Sequence, residues 1–291
     1  MSGRVFFAVA ALIAVTACTT DAEAPASSAI QPAAEARPGV RAEIEAVHAL
    51  SQTVGDFESR LVVECMREHG FTHAVPNVPP AVTFPKTHGF SPAEVSGGFP
   101  KETSVPPDPN AAYAKALSPS ERKRYNNALF GDRDELVTHT LNDGSGEIGS
   151  PSSGCIAEAE ATMFGEPGAG AGVMYLAGNL ANSALLAAQE DKDMVALDAS
   201  WSECMTSAGH EGLDEPDAAF GQAQQAGVRV PASVRVAKDS ATCEVKVDYA
   251  SRRLAIEDRY LTGMMDAREG EIVGVRDSLD QAIGRAEAAL A

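Results

Sequence analysis

The sequence predicts a mostly α-helical protein, a disulfide-stapled helical bundle of two pseudo-repeated units with a long C-terminal helix and a Pro-rich extended segment. Three observations predict it. Apolar residues recur at steps of three and four over several long stretches, the period of an amphipathic helix. Glu64-Cys65-Met66, followed by three residues and Gly70, returns as Glu203-Cys204-Met205, followed by three residues and Gly209. Each copy closes a helical pattern and has one further cysteine downstream, Cys155 and Cys243. Composition agrees: 44% hydrophobic and 22% charged residues suit a globular chain, and abundant alanine with only 5% aromatics leans helical.

The N-terminus sets the expected compartment. Arg4 is the one charge in residues 1–18, and Val5 to Ala17 is an apolar run of 13 residues. Such a run is short of the roughly 20 residues that span a bilayer and reads as a signal peptide. Val15-Thr16-Ala17-Cys18 resembles the lipobox of bacterial lipoproteins. That resemblance implies cleavage before Cys18, diacylation of its thiol and a chain held on the outer face of the cytoplasmic membrane. Two or more acyl chains anchor stably where one does not. Residues 19–40, rich in Ala, Pro and Glu, have too little apolar surface to fold and are expected to be a disordered tether.

The formal net charge is −18, with 41 acidic against 23 basic residues. Nucleic acid and anionic lipid headgroups attract basic patches, so neither is an expected partner. With Cys18 committed to lipid, four of the 5 cysteines remain, an even number suited to disulfides in an oxidising compartment. Four cysteines allow three connectivities. Pairing each Glu-Cys-Met copy with its own downstream cysteine, Cys65 with Cys155 and Cys204 with Cys243, is favoured. The chain then divides into a first unit at 41–172 and a second at 173–291, joined at the Gly-rich stretch 166–172.

In order, Ile44, Val47, Leu50, Val54, Phe57, Leu61 and Cys65 form one apolar stripe on a helix that ends at Gly70. The prolines between Pro76 and Pro109 exclude a long helix there and mark an extended segment, the first place to seek a binding surface. A short helix over Asn110 to Leu117 is followed by Ser118-Pro119-Ser120-Glu121, a capping box with Pro at N1, and that helix runs to Gly131. Residues 132–154 read as a polar loop, and Cys155 opens a short helix ending at Gly165. Val173 to Ala208 is helical, with a solvated face or a dividing turn at 189–193 and Trp201 in the core. A further helix starts at the acidic string Asp214 to Asp217. After Pro231 the pattern is helical almost to the end. Unbroken, about 60 residues at 1.5 Å each make a rod near 90 Å, with Gly263 and Gly270 the expected places for a bend. Antiparallel pairing of the first and last helices is expected to bring Ile44 near Leu290.

Candidate chemistry is sparse. Cys65, His69 and His73 are four apart, a zinc-like spacing, but Gly70 ends the helix that would align them and a disulfide removes the thiolate. Gly144-Ser145-Gly146-Glu147-Ile148-Gly149 matches a dinucleotide-binding string without the strand before it or the helix after it. Glu257 and Asp258 are expected to face solvent. Asp132, Asp134 and Glu135 lack a calcium-loop pattern, and His48, His88, His139 and His210 have no evident partner. No catalytic residue, metal or cofactor is therefore expected. An enzyme would need His69, His73, His88 or His139 to meet carboxylates in one cleft.

Several motifs together carry a resemblance: Glu64 to Phe71, Pro109 to Tyr113 leading to Leu117 to Glu121, Tyr125 through Ala128 to Gly131, and Gly154-Cys155. The chain resembles uncharacterised secreted proteins and lipoproteins of actinobacteria over most of 60–250, returning at Trp201 to Gly209. That resemblance implies an exported, disulfide-bonded, mostly helical protein with no catalytic residues to carry over. His210 stands where an aromatic residue usually follows the second glycine, so that turn is expected to differ. The resulting expectation is a non-enzymatic lipoprotein, a binding or scaffold module that meets another envelope protein or a cell-wall component. An extracytoplasmic hydrolase or metal-dependent enzyme is the alternative. A solute-binding lipoprotein would need repeated βαβ units, which the sequence lacks.

Overall fold

The structure, a computed structural model, describes residues 30–76, 84, 89–90, 95, 107–132, 134–140, 146–227 and 230–291. Helices dominate: α1 (Val40–Glu68), α2 (Pro109–Ala116), α3 (Pro119–Phe130), α4 (Gly154–Phe164), α5 (Ala171–Asn179), α6 (Asn182–Gln189) and α7 (Lys192–Ser207). They are followed by α8 (Pro216–Ala226), α9 (Pro231–Lys246), α10 (Tyr249–Ala267) and α11 (Glu269–Ala289). An antiparallel hairpin, β1 (Leu136–Thr140) with β2 (Glu147–Pro151), stands between α3 and α4. The signal-peptide stretch, Cys18 and the tether to residue 29 lie outside the described residues.

Two disulfides pair the cysteines as favoured: Cys65 with Cys155 and Cys204 with Cys243, closing spans of 90 and 39 residues. On the chain-entropy view each restricts the unfolded chain enough to stabilise the fold by about 4 to 5 kcal/mol. The repeat behind them is a helix end. Gly70, at φ +79°, lets the Phe71 N–H reach the Met66 carbonyl (2.9 Å) and its own N–H reach Arg67 (3.0 Å). Gly209, at φ +90°, repeats both bonds from His210 to Met205 and from Gly209 to Thr206 at the same lengths. Only a residue without Cβ adopts this left-handed turn cheaply. The methionine of each copy is fully buried, whereas Cys65 and Cys204 are partly exposed. The buried stripe thus runs through Met66. His210 leaves the turn unchanged, because its backbone plays the part of Phe71. Its ring instead bonds Asp239 on α9 (Nε2 to Oδ2, 2.8 Å). The copies part company at their partners: Cys155 opens a helix, and Cys243 lies in the last turn of one.

The helices pack into two clusters that share α1. The larger cluster takes Val40, Ile44, Val47 and Val54 from α1, Met163 from α4, and the apolar faces of α5 to α11, so it runs across residue 172. Trp201 lies at its centre with no exposed surface. The smaller cluster joins Val62 and Met66 of α1 to Tyr125 and Leu129 of α3 and to Cys155 and Ala159 of α4. Gly131 and Gly154 hold α3 against the start of α4. A Cβ on Gly154 would lie 2.4 Å from the Gly131 nitrogen, so that approach requires bare backbone.

The structure corrects several expectations. The C-terminal pattern is three helices: Asp248 turns the chain in a left-handed conformation (φ +53°), which aspartate tolerates better than most residues, and Arg268 breaks it again. Gly263 and Gly270 sit inside helices instead. Arg37, just before α1, lies 3.4 Å from Asp266, just before α11, so these two helices start at the same end. Ile44 and Leu290 therefore lie toward opposite ends of the pair. Val173 to Ala208 divides at Asp191, inside the expected turn at 189–193, and also at Leu180, where none was expected; the Asp191 carboxylate caps α7 through the Asp193 N–H (2.7 Å). Ala171–Gln189 is apolar and long enough to cross a membrane, but its Ala177, Leu180, Ala181, Ala184 and Ala188 enter the large core. The polar loop after Gly131 contains the β-hairpin, whose alternation the polar residues around Leu136, Val137 and Ile148 disguise. The chain is already docked at residues 30–40. The Ala33 N–H bonds the Arg259 carbonyl (2.9 Å), the Arg37 N–H bonds Thr262 Oγ1 (2.9 Å), and Ile30 packs on the core.

Glu257 is also a correction, since it is 3% exposed. It accepts from Arg253 (2.8 Å) and from Arg41 of α1 (2.7 Å), and Arg41 also reaches Asp258 (2.6 Å). Arg253 continues to the Tyr249 hydroxyl (3.2 Å), which donates to Asp198 of α7. This chain of charges joins α1, α7 and α10 inside the large core. Removing one member leaves buried charge uncompensated. Glu257→Ala is expected to destabilise the fold by about 3 to 5 kcal/mol in urea denaturation, and Glu43→Ala, at the exposed partner of Arg37, by under about 1 kcal/mol.

Candidate functional site

A cleft of about 580 Å³ lies on the smaller cluster. Its floor is α1, which contributes Glu58 and Val62, and its far wall is α3 with Tyr125, Leu129 and Phe130. Asp108, Asn110, Ala111 and Ala114 come from the start of α2, His73 and Pro76 from the strap that follows α1, and Ile156 from α4. The surface is mostly apolar, and few polar groups point into it.

Local structure fixes those groups. Gly70 ends α1 and sends Phe71 to Pro76 back across the cluster. Asn110 then holds this strap like a paired strand: its Oδ1 accepts from the Ala74 N–H (2.8 Å) and its Nδ2 donates to the Ala74 carbonyl (2.9 Å). Tyr113 Oη accepts from the Thr72 N–H (3.2 Å). Asp108 is the N-cap of α2 and accepts from the Asn110 N–H (2.8 Å). The Tyr125 hydroxyl and His73 Nδ1 are hydrogen-bonded at 2.7 Å, and the edges and faces of Phe71 and Tyr113 pack about the Tyr125 ring, with centroids at 5.5 and 5.8 Å.

Electrostatics set Glu58 apart. It makes no hydrogen bond or ion pair among the described residues. Burial pushes its carboxyl from 4.5 up to about 7, and repulsion from Glu160 on α4 adds to the rise. Burial also raises Glu160, against the Gly168 N–H that donates to it at 2.8 Å and the nearby His139. His73 is held low by burial, opposed by the Asp108 charge. The Tyr125 hydroxyl is raised by burial and then by Asp108. Near neutral pH the cleft therefore offers a carboxyl that exchanges its proton readily, beside a neutral tyrosine and imidazole.

The residues singled out from sequence fall into three groups. His73 does meet carboxylates in one cleft, with Glu58 and Asp108. His69 lies outside it, exposed beside the first disulfide, where its ring nitrogen and the sulfurs of Cys65 and Cys155 lie within 4.8 Å of one another. Both sulfurs are bonded to each other, so no thiolate is present to hold zinc. His73, the third member of the spaced trio, bonds Tyr125 instead. His48 lies on α1, His139 stands beside Glu160, and His88 and Gly144 and Ser145 of the glycine string lie outside the described residues. The rest of that string enters β2 as one arm of a hairpin. In the proline-rich segment, Phe84 and Phe90 are buried in the large core, with Arg41 stacked 4.5 Å over the Phe84 ring. Glu58 itself escaped the sequence reading, although a signal exists: it sits four residues from both Val54 and Val62, which are buried. A carboxylate on an otherwise apolar helical row is either paired or poised.

Comparisons with protein-family models, with curated proteins and with solved structures find no match.

Because the folded protein binds Glu58's proton more tightly than the unfolded chain, stability falls as pH rises through the window from 4.5 to about 7 and levels off above it. The full loss is at most about 3 kcal/mol. Thermal or urea denaturation across pH 4 to 8 is expected to show this decline in the wild type and a shallower one in Glu58→Gln, which becomes the more stable protein at pH 8.

Proposed function

We propose that this chain is a lipid-anchored extracytoplasmic binding module of the cell envelope, and that the cleft on the smaller cluster is where it meets its ligand. The observation that carries this reading is the cleft itself: a mostly apolar cavity in which Asn110, Asp108, His73 and Tyr125 already have partners within the fold, while Glu58 has no hydrogen bond or ion pair among the described residues. Asn110 is spent on Ala74, Asp108 on the start of α2, and His73 on Tyr125. Side chains fixed in this way hold a shape and leave the Glu58 carboxyl available to a ligand, as a binding site requires. Two disulfides and the leader-like N-terminus with Cys18 support the extracytoplasmic setting. Residues 19–29 between Cys18 and the docked Ile30 would span at most about 40 Å, keeping the domain within reach of other envelope components.

A second reading, an extracytoplasmic hydrolase, draws on one observation. A carboxyl titrating near 7 suits a general acid. It would need a base or nucleophile within reach of Glu58, whereas His73 is already bonded to Tyr125.

Both halves of the proposal are open to direct measurement. Cells given a clickable palmitate are expected to label the wild-type protein and leave Cys18→Ser unlabelled and released from membranes. An unlabelled wild type contradicts the anchor. Ala111→Trp fills the cleft from an exposed position on α2. It is expected to abolish crosslinking to the envelope component that the wild type captures in intact cells, with an unchanged melting temperature. Undiminished crosslinking removes the cleft from the interaction.

A further inference from the structure

The chemistry of the cleft specifies its ligand more closely, a step that rests on the binding reading above. We propose that the cleft receives a primary ammonium group carried on a short apolar stem, with the charged head at Glu58 and the stem against Val62, Leu129 and Ile156.

Several observations converge on this chemistry. Among the described residues lining the cleft, Glu58 and Asp108 are acidic and none is lysine or arginine, so an anion would enter against two carboxylates. Glu58 has no hydrogen bond or ion pair among the described residues. The charges and titrating groups around it are Glu160 on α4, Asp108 at the start of α2, His73 on the strap and Tyr125 on α3. Only the histidine among them is basic, and burial disfavours its charged form. A buried carboxylate with that surrounding lacks a counter-charge, and a compact ammonium with three donors is the group that supplies one. The remaining wall is apolar and suits a hydrocarbon stem. The phenol of Tyr125 adds an electron-rich ring at the same wall, which favours a cation further. A neutral apolar ligand would leave the Glu58 oxygens without hydrogen bonds, the costlier outcome in a low-dielectric site. The formal net charge of −18 draws cations toward the protein at long range.

Seating an ammonium beside Glu58 favours its charged form, so binding releases a proton below neutrality and weakens as pH falls. Full-length mature protein labelled with ¹⁵N, titrated with n-butylammonium, butyrate or 1-butanol at equal concentrations, tests the proposal through the amides of Ala111, Ala114 and Ile156. The expected result is saturable shifts with n-butylammonium alone, at least about tenfold weaker at pH 5.5 than at pH 8, and lost in Glu58→Gln. Comparable or tighter binding of butyrate or butanol, retained in Glu58→Gln, would overturn the ammonium assignment and leave the cleft a binding site of another class. Unperturbed amides with all three probes would overturn both the assignment and the binding reading.

Discussion

The Cys65–Cys155 bond holds the far end of α1 against the start of α4, and the cleft on the smaller cluster depends on that constraint. α1 is 29 residues long; its first half belongs to the large core, while Val62 and Met66 of its second half pack with α3 and α4, and Phe57 and Leu61 still reach the large core. Among the described residues the smaller cluster has six buried members, of which Met66 and Cys155 are fully enclosed. That is too little apolar surface to offset the ordering of two helices and a strap by burial alone. A covalent link across 90 residues supplies much of the difference by restricting the unfolded chain. The cleft exists because the linked end of α1 presents Glu58 and Val62 to a wall that would otherwise have no reason to stay in place.

The other end of α1 is held by charge. Arg41 reaches Glu257 and Asp258, and Glu257 reaches Arg253, so the helix is tied to α10 through groups that water hardly touches. Such a network is expensive to desolvate and specifies one arrangement when every member is paired. The Gln31 carbonyl lies against Gly263 and the Ala33 N–H on the Arg259 carbonyl, so residues 31–33 lie on the same helix. α1 is thus a beam fixed by ions at one end and sulfur at the other, and the cleft opens beside its sulfur-fixed half.

Much of this was legible in the sequence because it is written in local chemistry. The stripe from Ile44 to Leu61, the capping box at Ser118 and Glu121 and the glycine stops at Gly70, Gly131 and Gly165 each follow from a few neighbouring residues, while the cysteine pairing was one of three open connectivities, favoured because the Glu-Cys-Met motif repeats. What was not legible depends on distant partners. Glu257 looked solvent-facing because its counter-ions are Arg253 one turn away and Arg41 more than two hundred residues earlier. The expected rod broke at Asp248, an aspartate that tertiary packing holds in a left-handed turn, and not at the glycines, whose helical interiors are merely weaker. The antiparallel seam failed because matching periods say that two helices have stripes, and not which way they run. The cleft was invisible for the same reason: Asn110 reveals its role only once Ala74 is beside it, and Glu58 only once Tyr125 and Leu129 close over α1. The repeated Glu-Cys-Met motif proved to be a shared way of ending a helix at a disulfide, with the bonded partner entering from a helix start in one copy and a helix end in the other.

The claim that the sulfur bridge sustains the smaller cluster and its cleft is tested most directly by hydrogen exchange read by mass spectrometry on Cys65→Ala/Cys155→Ala beside the wild type. The account predicts that protection collapses in α2, α3 and α4 and in the strap from Phe71 to Pro76, while α7, α10 and α11 exchange as before. Unchanged protection over Pro109 to Phe130 in the double variant would contradict it.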